Sequence, residues 1–122
     1  MATTQAQRKA LGDYGERVAA RHLEQQGMTV VDRNWRCSDG EIDIVAREGR
    51  VLVVCEVKTR SSDRYGSAFQ AITAEKARRL HHLGHAWASA HQCRCGEIRL
   101  DVVAVTAWRH GRPTVEHIVG MA

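Results

Sequence analysis

Four side chains that could do chemistry together lie at the ends of two adjacent predicted strands, between Gly40 and Lys58. They are Glu41, Asp43, Glu56 and Lys58. Carboxylates are poor strand formers and cost free energy where a strand buries its faces, so acids in this Val/Ile/Leu-rich stretch need a compensating reason. A divalent metal ion is one such reason.

Asp43 and Glu56 are the carboxylate type of ligand that Mg2+ and Mn2+ prefer. Lys58, two residues after Glu56, donates hydrogen bonds and accepts none, so it can orient a water molecule and stabilise developing phosphate charge. This set suits phosphodiester hydrolysis. The alternative is an exposed Glu-Lys ion pair of little consequence. The unbroken apolar run Val51–Cys55 favours the metal site, since it is typical of a strand covered on both faces.

A helix is predicted before these strands, and it ends at about Gln26 with Gly27 as its left-handed C-cap. Its apolar positions recur at helical spacing, and they are Leu11, Tyr14, Gly15, Val18 and His22. Glu16 lies at the edge of this stripe, where it could reach a site at the edge of the sheet or simply be a solvated acid.

Three strands follow, over residues 28–35, 41–47 and 51–58, with a turn over residues 36–40 after the first. The short reversal at 48–50 pairs the second and third strands as an antiparallel hairpin. Alternation puts Glu41 and Asp43 on one face of the second strand, and Glu56 and Lys58 on one face of the third. The acids and the lysine are therefore expected to converge.

The polar, basic segment 59–66 predicts a mobile surface loop. Thr73 is expected to cap a second helix that runs to about Gln92. Lys76 falls within the apolar stripe of this helix, which makes it a candidate site residue; the stripe consists of Ala77, Leu80, Leu83, Gly84 and Trp87. The opposite face is read as solvated, with nucleic-acid contacts as the alternative, and carries Arg78, His81, His82 and His85.

Two more strands, over residues 97–108 and 114–119, complete the order αβββαββ. One crossover helix after the third strand implies an α/β fold with a central mixed five-stranded sheet flanked by helices. At 122 residues the chain has the length of one domain, and residues 1–122 are read as a single unit.

Eighteen Lys and Arg against fourteen Asp and Glu give a net charge of +4, which favours a polyanionic partner. No apolar run resembles a signal peptide or a membrane span, so we expect a soluble, cytoplasmic protein without a membrane partner. The four cysteines are poorly spaced for zinc, because only Cys93 and Cys95 are close together and Cys55 falls in an apolar strand.

Several motifs together resemble the YraN-like family of small bacterial proteins. They are Gly12-x-x-Gly15-Glu16, Asn34-Trp35-Arg36, Gly40-Glu41-Ile42-Asp43, Glu56-Val57-Lys58-Thr59-Arg60, Gly66, Lys76 and Arg99-Leu100-Asp101-Val102. That family resembles members of the PD-(D/E)xK nuclease superfamily and, within it, is similar to archaeal Holliday junction resolvases. The resemblance implies a restriction endonuclease-like core.

The resemblance also implies roles for individual residues. The catalytic residues would be Asp43, Glu56, Lys58 and the helical acid Glu16. Asp43, Glu56 and the backbone carbonyl of Val57 would hold Mg2+ or Mn2+. Auxiliary roles would fall to Glu41, Gln70 and Lys76. For contacts with nucleic acid, we assign the basic residues Arg36, Arg60, Arg64, Lys76 and Arg79.

The leading hypothesis is a metal-dependent endonuclease that hydrolyses phosphodiester bonds in DNA, with branched or damaged DNA as a possible substrate. Symmetric junctions would favour a homodimer, because two strands must be cut by related sites. A second hypothesis is a non-catalytic nucleic-acid-binding module that keeps the fold and shows salt-dependent binding without metal dependence. A third is a protein-interaction domain in which the acids and Lys58 form only an ion network.

Overall fold

The computed structural model describes residues 4–61 and 72–121. Two helices and five strands follow one another in the predicted order αβββαββ. They are α1 (Gln5–Gln25), β1 (Thr29–Cys37), β2 (Gly40–Glu48), β3 (Val51–Ser61), α2 (Ala74–Ala90), β4 (Glu97–Ala107) and β5 (Thr114–Ile118).

The five strands form one mixed sheet in the order β1-β2-β3-β4-β5. Strands joined by short turns pair antiparallel, whereas β3 and β4 pair parallel. The parallel pair arises because α2 crosses over the sheet between them and returns the chain to the same end. The mixed five-stranded sheet flanked by helices is therefore confirmed.

The sheet is covered on both faces, and β3 contributes side chains alternately to the two apolar layers. Val53 and Cys55 pack with Ala19 and Leu23 of α1, while Leu52 and Val54 pack with α2. On the α2 side, the buried residues of the helix are Ala77, Leu80, Leu83, Gly84 and Trp87, which is the predicted stripe. The acid of β3, Glu56, therefore comes directly after a part of the strand that apolar side chains cover on both faces of the sheet.

The buried stripe of α1 differs from the prediction. Its buried residues are Gly15, Ala19, Ala20 and Leu23, whereas Tyr14 and Val18 are only partly buried. Small residues occupy the line of closest approach, since a Cβ at Gly15 would overlap the side chain of Thr59 in β3. The helix is turned so that Gly15, the two alanines and Leu23 face the sheet, whereas Tyr14 and Val18 lie at the edge of the contact.

Two predicted boundaries are also wrong. Thr59 to Ser61 belong to β3 and not to a surface loop, because they continue the parallel register with Val105 to Ala107 of β4. Arg36 belongs to β1 and pairs with Glu41 of β2, so the turn before β2 is shorter than residues 36–40. In both places backbone pairing with a neighbouring strand outweighs the polar composition on which the prediction rested.

The helix ends agree with the sequence signals. Gly27 has a φ of +92° just beyond α1, a conformation that glycine adopts without strain. Thr73 caps α2, and its hydroxyl accepts a 3.1 Å hydrogen bond from the backbone N–H of Lys76. This cap fixes where the first turn of α2, and with it Lys76, meets the sheet. Neither α1 nor α2 has the length and apolar character that crossing a membrane requires.

Candidate active site

The candidate site is built where β2 and β3 stop pairing with each other. Their antiparallel register runs from Glu48 opposite Val51 to Ile44 opposite Cys55. Beyond this point the backbone N–H of Val57 donates a 2.9 Å hydrogen bond to Oδ2 of Asp43. A carboxylate thus takes the place of a β2 backbone acceptor, and it lies in the opening between the two strands.

Asp43 and Glu56 both line this opening. Burial raises the pKa of Asp43, and the hydrogen bond from the Val57 N–H opposes that rise. The neighbouring acids Glu56 and Glu16 raise the pKa further, to about 7, because a nearby carboxylate disfavours the ionised form. The predicted convergence of Asp43 and Glu56 is therefore confirmed by their positions.

Lys76 approaches this pair from the first turn of α2. Its ammonium forms a salt bridge with Oε2 of Glu56, whose side chain is only 12% exposed, whereas that of Lys76 is 41% exposed. The sequence singled out Lys76 as a charge within an apolar stripe, and the structure gives that charge a partner. The lysine that contacts the acid pair thus comes from the helix.

Glu16 lies beside the same opening on the α1 side. Burial raises its pKa, while a hydrogen bond with Asn34 and the charge of Arg33 lower it. The negative charge of Glu16 raises the pKa of Asp43, so Glu16 is close enough to interact electrostatically with that carboxyl group. The contact of Gly15 with Thr59 holds this part of α1 against β3.

An open cleft of about 300 Å³ exposes the acid pair to solvent beneath α2. Its walls combine acids, bases and apolar side chains, and they are Gly40, Glu41, Asp43, Glu56, Lys76, Arg79, Leu80 and Leu83. Glu41 also forms a salt bridge with Arg36 on β1. The predicted auxiliary acid Glu41 and the predicted basic residue Arg79 therefore both border the cleft.

The remaining predicted site residues lie elsewhere. Lys58 is partly buried in β3 opposite Ala104 of β4, and it is not among the residues that line the cleft. Arg60 donates a 3.3 Å hydrogen bond to Thr106 of β4. Gln70 and Arg64 fall outside residues 4–61 and 72–121, so their predicted roles stay predictions.

The donor set at the opening fits a hard divalent cation. Within the described ranges 4–61 and 72–121, no group of three or more His, Cys, Asp and Glu side chains is arranged to hold a metal ion. Mg2+, however, commonly uses only one or two carboxylates and keeps several waters. Asp43 and Glu56 supply two. The Val57 carbonyl faces the same gap, because the N–H and C=O of a strand residue point to the same neighbour.

A second buried acid, Asp101, was not foreseen as part of a network. It is fully buried, and its oxygens accept hydrogen bonds from Arg99 at 2.8 and 3.0 Å and from the Gly120 N–H at 3.0 Å. Nε2 of His117 lies 2.8 Å from the same carboxylate. The sequence signals for this network are the aspartate within the apolar run Leu100–Ala104 and Arg99 two residues before it. The network joins β4, β5 and the C-terminal residues.

Burial alone would raise the pKa of Asp101, but the hydrogen bonds from Arg99, His117 and Gly120 outweigh it and hold the pKa below its usual value. Asp101 is therefore an ionised, fully satisfied carboxylate. Asp43 has the opposite character, since its pKa is raised. The contrast separates an acid that stabilises the fold from one that is available for chemistry.

Comparison with known proteins places the chain in a family. Residues 15–105 match the model described as "Uncharacterised protein family UPF0102", a span that includes Glu16, Asp43, Glu56 and Lys58. A UPF0102 protein of Kineococcus radiotolerans is 54% identical over 114 residues, covering 93% of each chain. One of Beutenbergia cavernae is 52% identical over 92% of this chain and 95% of its own. One of Acidothermus cellulolyticus is 44% identical over 98% of both chains. The chain therefore belongs to the UPF0102 family.

Proposed function

We propose that this protein is a metal-dependent endonuclease of the PD-(D/E)xK superfamily that hydrolyses phosphodiester bonds in DNA. One observation carries the proposal: Asp43 and Glu56 line the same cleft where β2 and β3 separate, and the Val57 N–H donates a hydrogen bond to Asp43 there. The resemblance of the sequence to YraN-like proteins, and of those to junction resolvases, supports branched or damaged DNA as the substrate.

Asp43, Glu56 and the Val57 carbonyl would hold Mg2+ or Mn2+, which when bound supplies a more acidic water and neutralises phosphate charge. The protein's own part is orientation. The Val57 N–H holds Oδ2 of Asp43, so the other oxygen is left for the shared site. Glu16 adds negative charge from α1, which strengthens the attraction for a cation.

Two lysines are available to act on a phosphate. Lys76 is in contact with Glu56 and borders the cleft, so it can neutralise a phosphate oxygen that enters there. Lys58, on β3 two residues after Glu56, is proposed to orient the attacking water. The geometry around Glu56 gives Lys76 a larger role than the auxiliary one assigned from the sequence.

The second candidate function is a nucleic-acid-binding module without catalysis. The salt bridge of Glu56 with Lys76 favours it, because this pair gives Glu56 a partner within the protein itself. Such a module would bind DNA or RNA with a salt dependence set by its basic residues and without a requirement for metal.

A nuclease that acts on chromosomal DNA would work in the cytoplasm, and one that resolves symmetric junctions would work as a homodimer. The location and the homodimer are both consequences of the proposed substrate. Sedimentation of the protein with and without a four-way junction measures directly whether it is a homodimer.

The test is incubation of the purified protein with four-way-junction, nicked and linear DNA in Mg2+ or Mn2+. We expect metal-dependent cleavage that is abolished by Asp43→Asn or Glu56→Gln and retained by Glu97→Gln, an exposed acid at the start of β4. Retained DNA binding with no cleavage of any substrate would favour the module. Cleavage by the Glu56→Gln protein at the wild-type rate would refute the proposed site.

A further inference from the structure

A second concave surface lies away from the acid pair, between α1 and the connection from β4 to β5. It is a groove of about 670 Å³, within the ~300–1,000 Å³ range of small-ligand sites. Arg17 and Arg21 lie on successive turns of α1, and Arg112 faces them from the connection. Tyr14 and His22 complete its polar and aromatic lining, and none of its lining residues is an Asp or a Glu.

The positive charge of this groove is not neutralised within the described part of the chain. In residues 4–61 and 72–121, the salt bridges involve none of Arg17, Arg21 and Arg112, and all three are exposed. Three of the basic residues assigned to nucleic acid from the sequence differ in this respect, because Arg36, Lys76 and Arg79 each pair with an acid. Within the described residues, the groove thus presents three arginines without a salt bridge at a place that the sequence prediction did not single out.

One wall of the groove is held in place by the Asp101 network. Nε2 of His22 lies 3.1 Å from Nδ1 of His117, and Nε2 of His117 lies 2.8 Å from Asp101. The ionised Asp101 only accepts hydrogen bonds, so His117 donates to it through Nε2, and Nδ1 of His117 is hydrogen-bonded to Nε2 of His22. These contacts hold the ring of His22 by its Nε2 and leave its Nδ1 for a ligand.

We propose that this groove binds a nucleotide unit. Arginine recognises phosphate by charge and by paired N–H donors, and three arginines converge around one cavity here. Tyr14 offers a ring on which a base can stack, and this contact tolerates any base. The unit would be either part of a nucleic-acid strand or a free nucleotide. The proposal does not depend on catalysis at the acid pair.

The test is binding in EDTA, so that no metal-dependent contact at the acid pair contributes. A fluorescent single-stranded oligonucleotide is titrated with wild type, with Arg17→Gln plus Arg21→Gln, and with the matched control Arg50→Gln plus Arg94→Gln. The control removes the same charge from exposed positions outside the groove. Thermal melting verifies that each protein is folded.

We expect the groove variant to lose about tenfold in affinity relative to the control at low salt. The slope of its log K against log salt should become shallower by about 1.4, because each phosphate contact with a single strand contributes about 0.7. Equal losses in both variants would overturn the proposal, because only general charge would then matter. Wild-type binding by the groove variant, or no nucleotide or oligonucleotide binding by wild type, would overturn it as well.

Adenosine monophosphate, titrated by calorimetry against the same proteins, distinguishes the two sources. Binding of the oligonucleotide alone assigns the groove to a strand, whereas binding of the mononucleotide, lost in the groove variant, assigns it to free nucleotides. Both probes are titrated without metal, so absence of DNA cleavage by wild type would count against the proposed nuclease and leave the groove result intact.

Discussion

The backbone N–H of Val57 donates a 2.9 Å hydrogen bond to the carboxylate of Asp43, just past the last β2–β3 pair at Ile44 and Cys55. This bond ties the acid of one strand to the backbone of the next and places it against Glu56. The divergence of the two strands is thus what creates the site, because continued pairing would have filled the gap with backbone.

Replacing Asp43 with Asn should change how stability depends on pH in metal-free buffer. The folded-state pKa is raised to about 7, so the folded protein binds this proton more tightly than the unfolded chain does. The group's contribution to the free energy of unfolding therefore falls as pH rises from about 4 to 7. We therefore expect the free energy of unfolding of Asp43→Asn, relative to that of wild type, to rise by on the order of 2 kcal/mol from pH 5 to pH 8.

Thermal or urea unfolding in EDTA at the two pH values measures this difference. Glu97→Gln, at an exposed acid at the start of β4, is the control and should show little change with pH. A stability difference between wild type and Asp43→Asn that is the same at pH 5 and pH 8 would contradict the raised pKa.

Replacing Lys76 with Met should strengthen the binding of Mn2+. The ammonium of Lys76 pairs with Glu56, so it competes with a cation for the same carboxylate. We expect the Kd for Mn2+ to fall about fivefold, equivalent to about 1 kcal/mol. Calorimetric titration checks this, with Lys9→Met as the matched control on α1. Weaker Mn2+ binding by Lys76→Met than by Lys9→Met would show that Lys76 supports the cation site instead of competing for it.

Two glycines of α1 should respond in opposite ways to Ala. A Cβ at Gly15 would overlap Thr59, whereas one at Gly12 meets nothing within 4 Å. We expect Gly15→Ala to lower the free energy of unfolding by about 1–3 kcal/mol. Gly12→Ala should raise it by about 0.5–1 kcal/mol, through the better helix propensity of alanine. Urea unfolding of both variants is the measurement, and a stabilised Gly15→Ala would refute the close packing of α1 on β3.

Asp101 should be a large contributor to stability. Its replacement by Ala leaves Arg99 and His117 without their shared partner in a buried place, which costs about 3–5 kcal/mol. The pKa of Asp101 is lowered, so its contribution is present above the unfolded value near 3.9 and is lost as pH falls through the folded value. Urea unfolding should show this loss at pH 7 for Asp101→Ala and a much smaller one for Asp39→Ala.

The order of elements, the mixed sheet and the convergence of Asp43 with Glu56 could all be predicted from the sequence. Alternation within a hairpin fixes which side chains share a face, and short turns fix which strands are neighbours. These relationships join residues that are close together in the sequence, so the periodicity of apolar and polar residues is enough to predict them.

Contacts between distant elements could not be predicted in the same way. The pairing of Lys76 with Glu56 depends on where the first turn of α2 lands on β3, and spacing within either element says nothing about that. The same holds for His22 and His117, which are 95 residues apart and within 3.1 Å of each other. The arginines of the groove were missed because Arg112 comes from a turn that sequence patterns do not orient.

The most direct test of the proposed cation site is a crystal of the protein soaked in Mn2+ and measured at a wavelength where manganese scatters anomalously. We expect an anomalous peak between Asp43 and Glu56, at coordination distance from both carboxylates and from the Val57 carbonyl. We expect no such peak in Asp43→Asn crystals. No peak at this position in the wild-type crystal, or an equal peak in the variant, would contradict it.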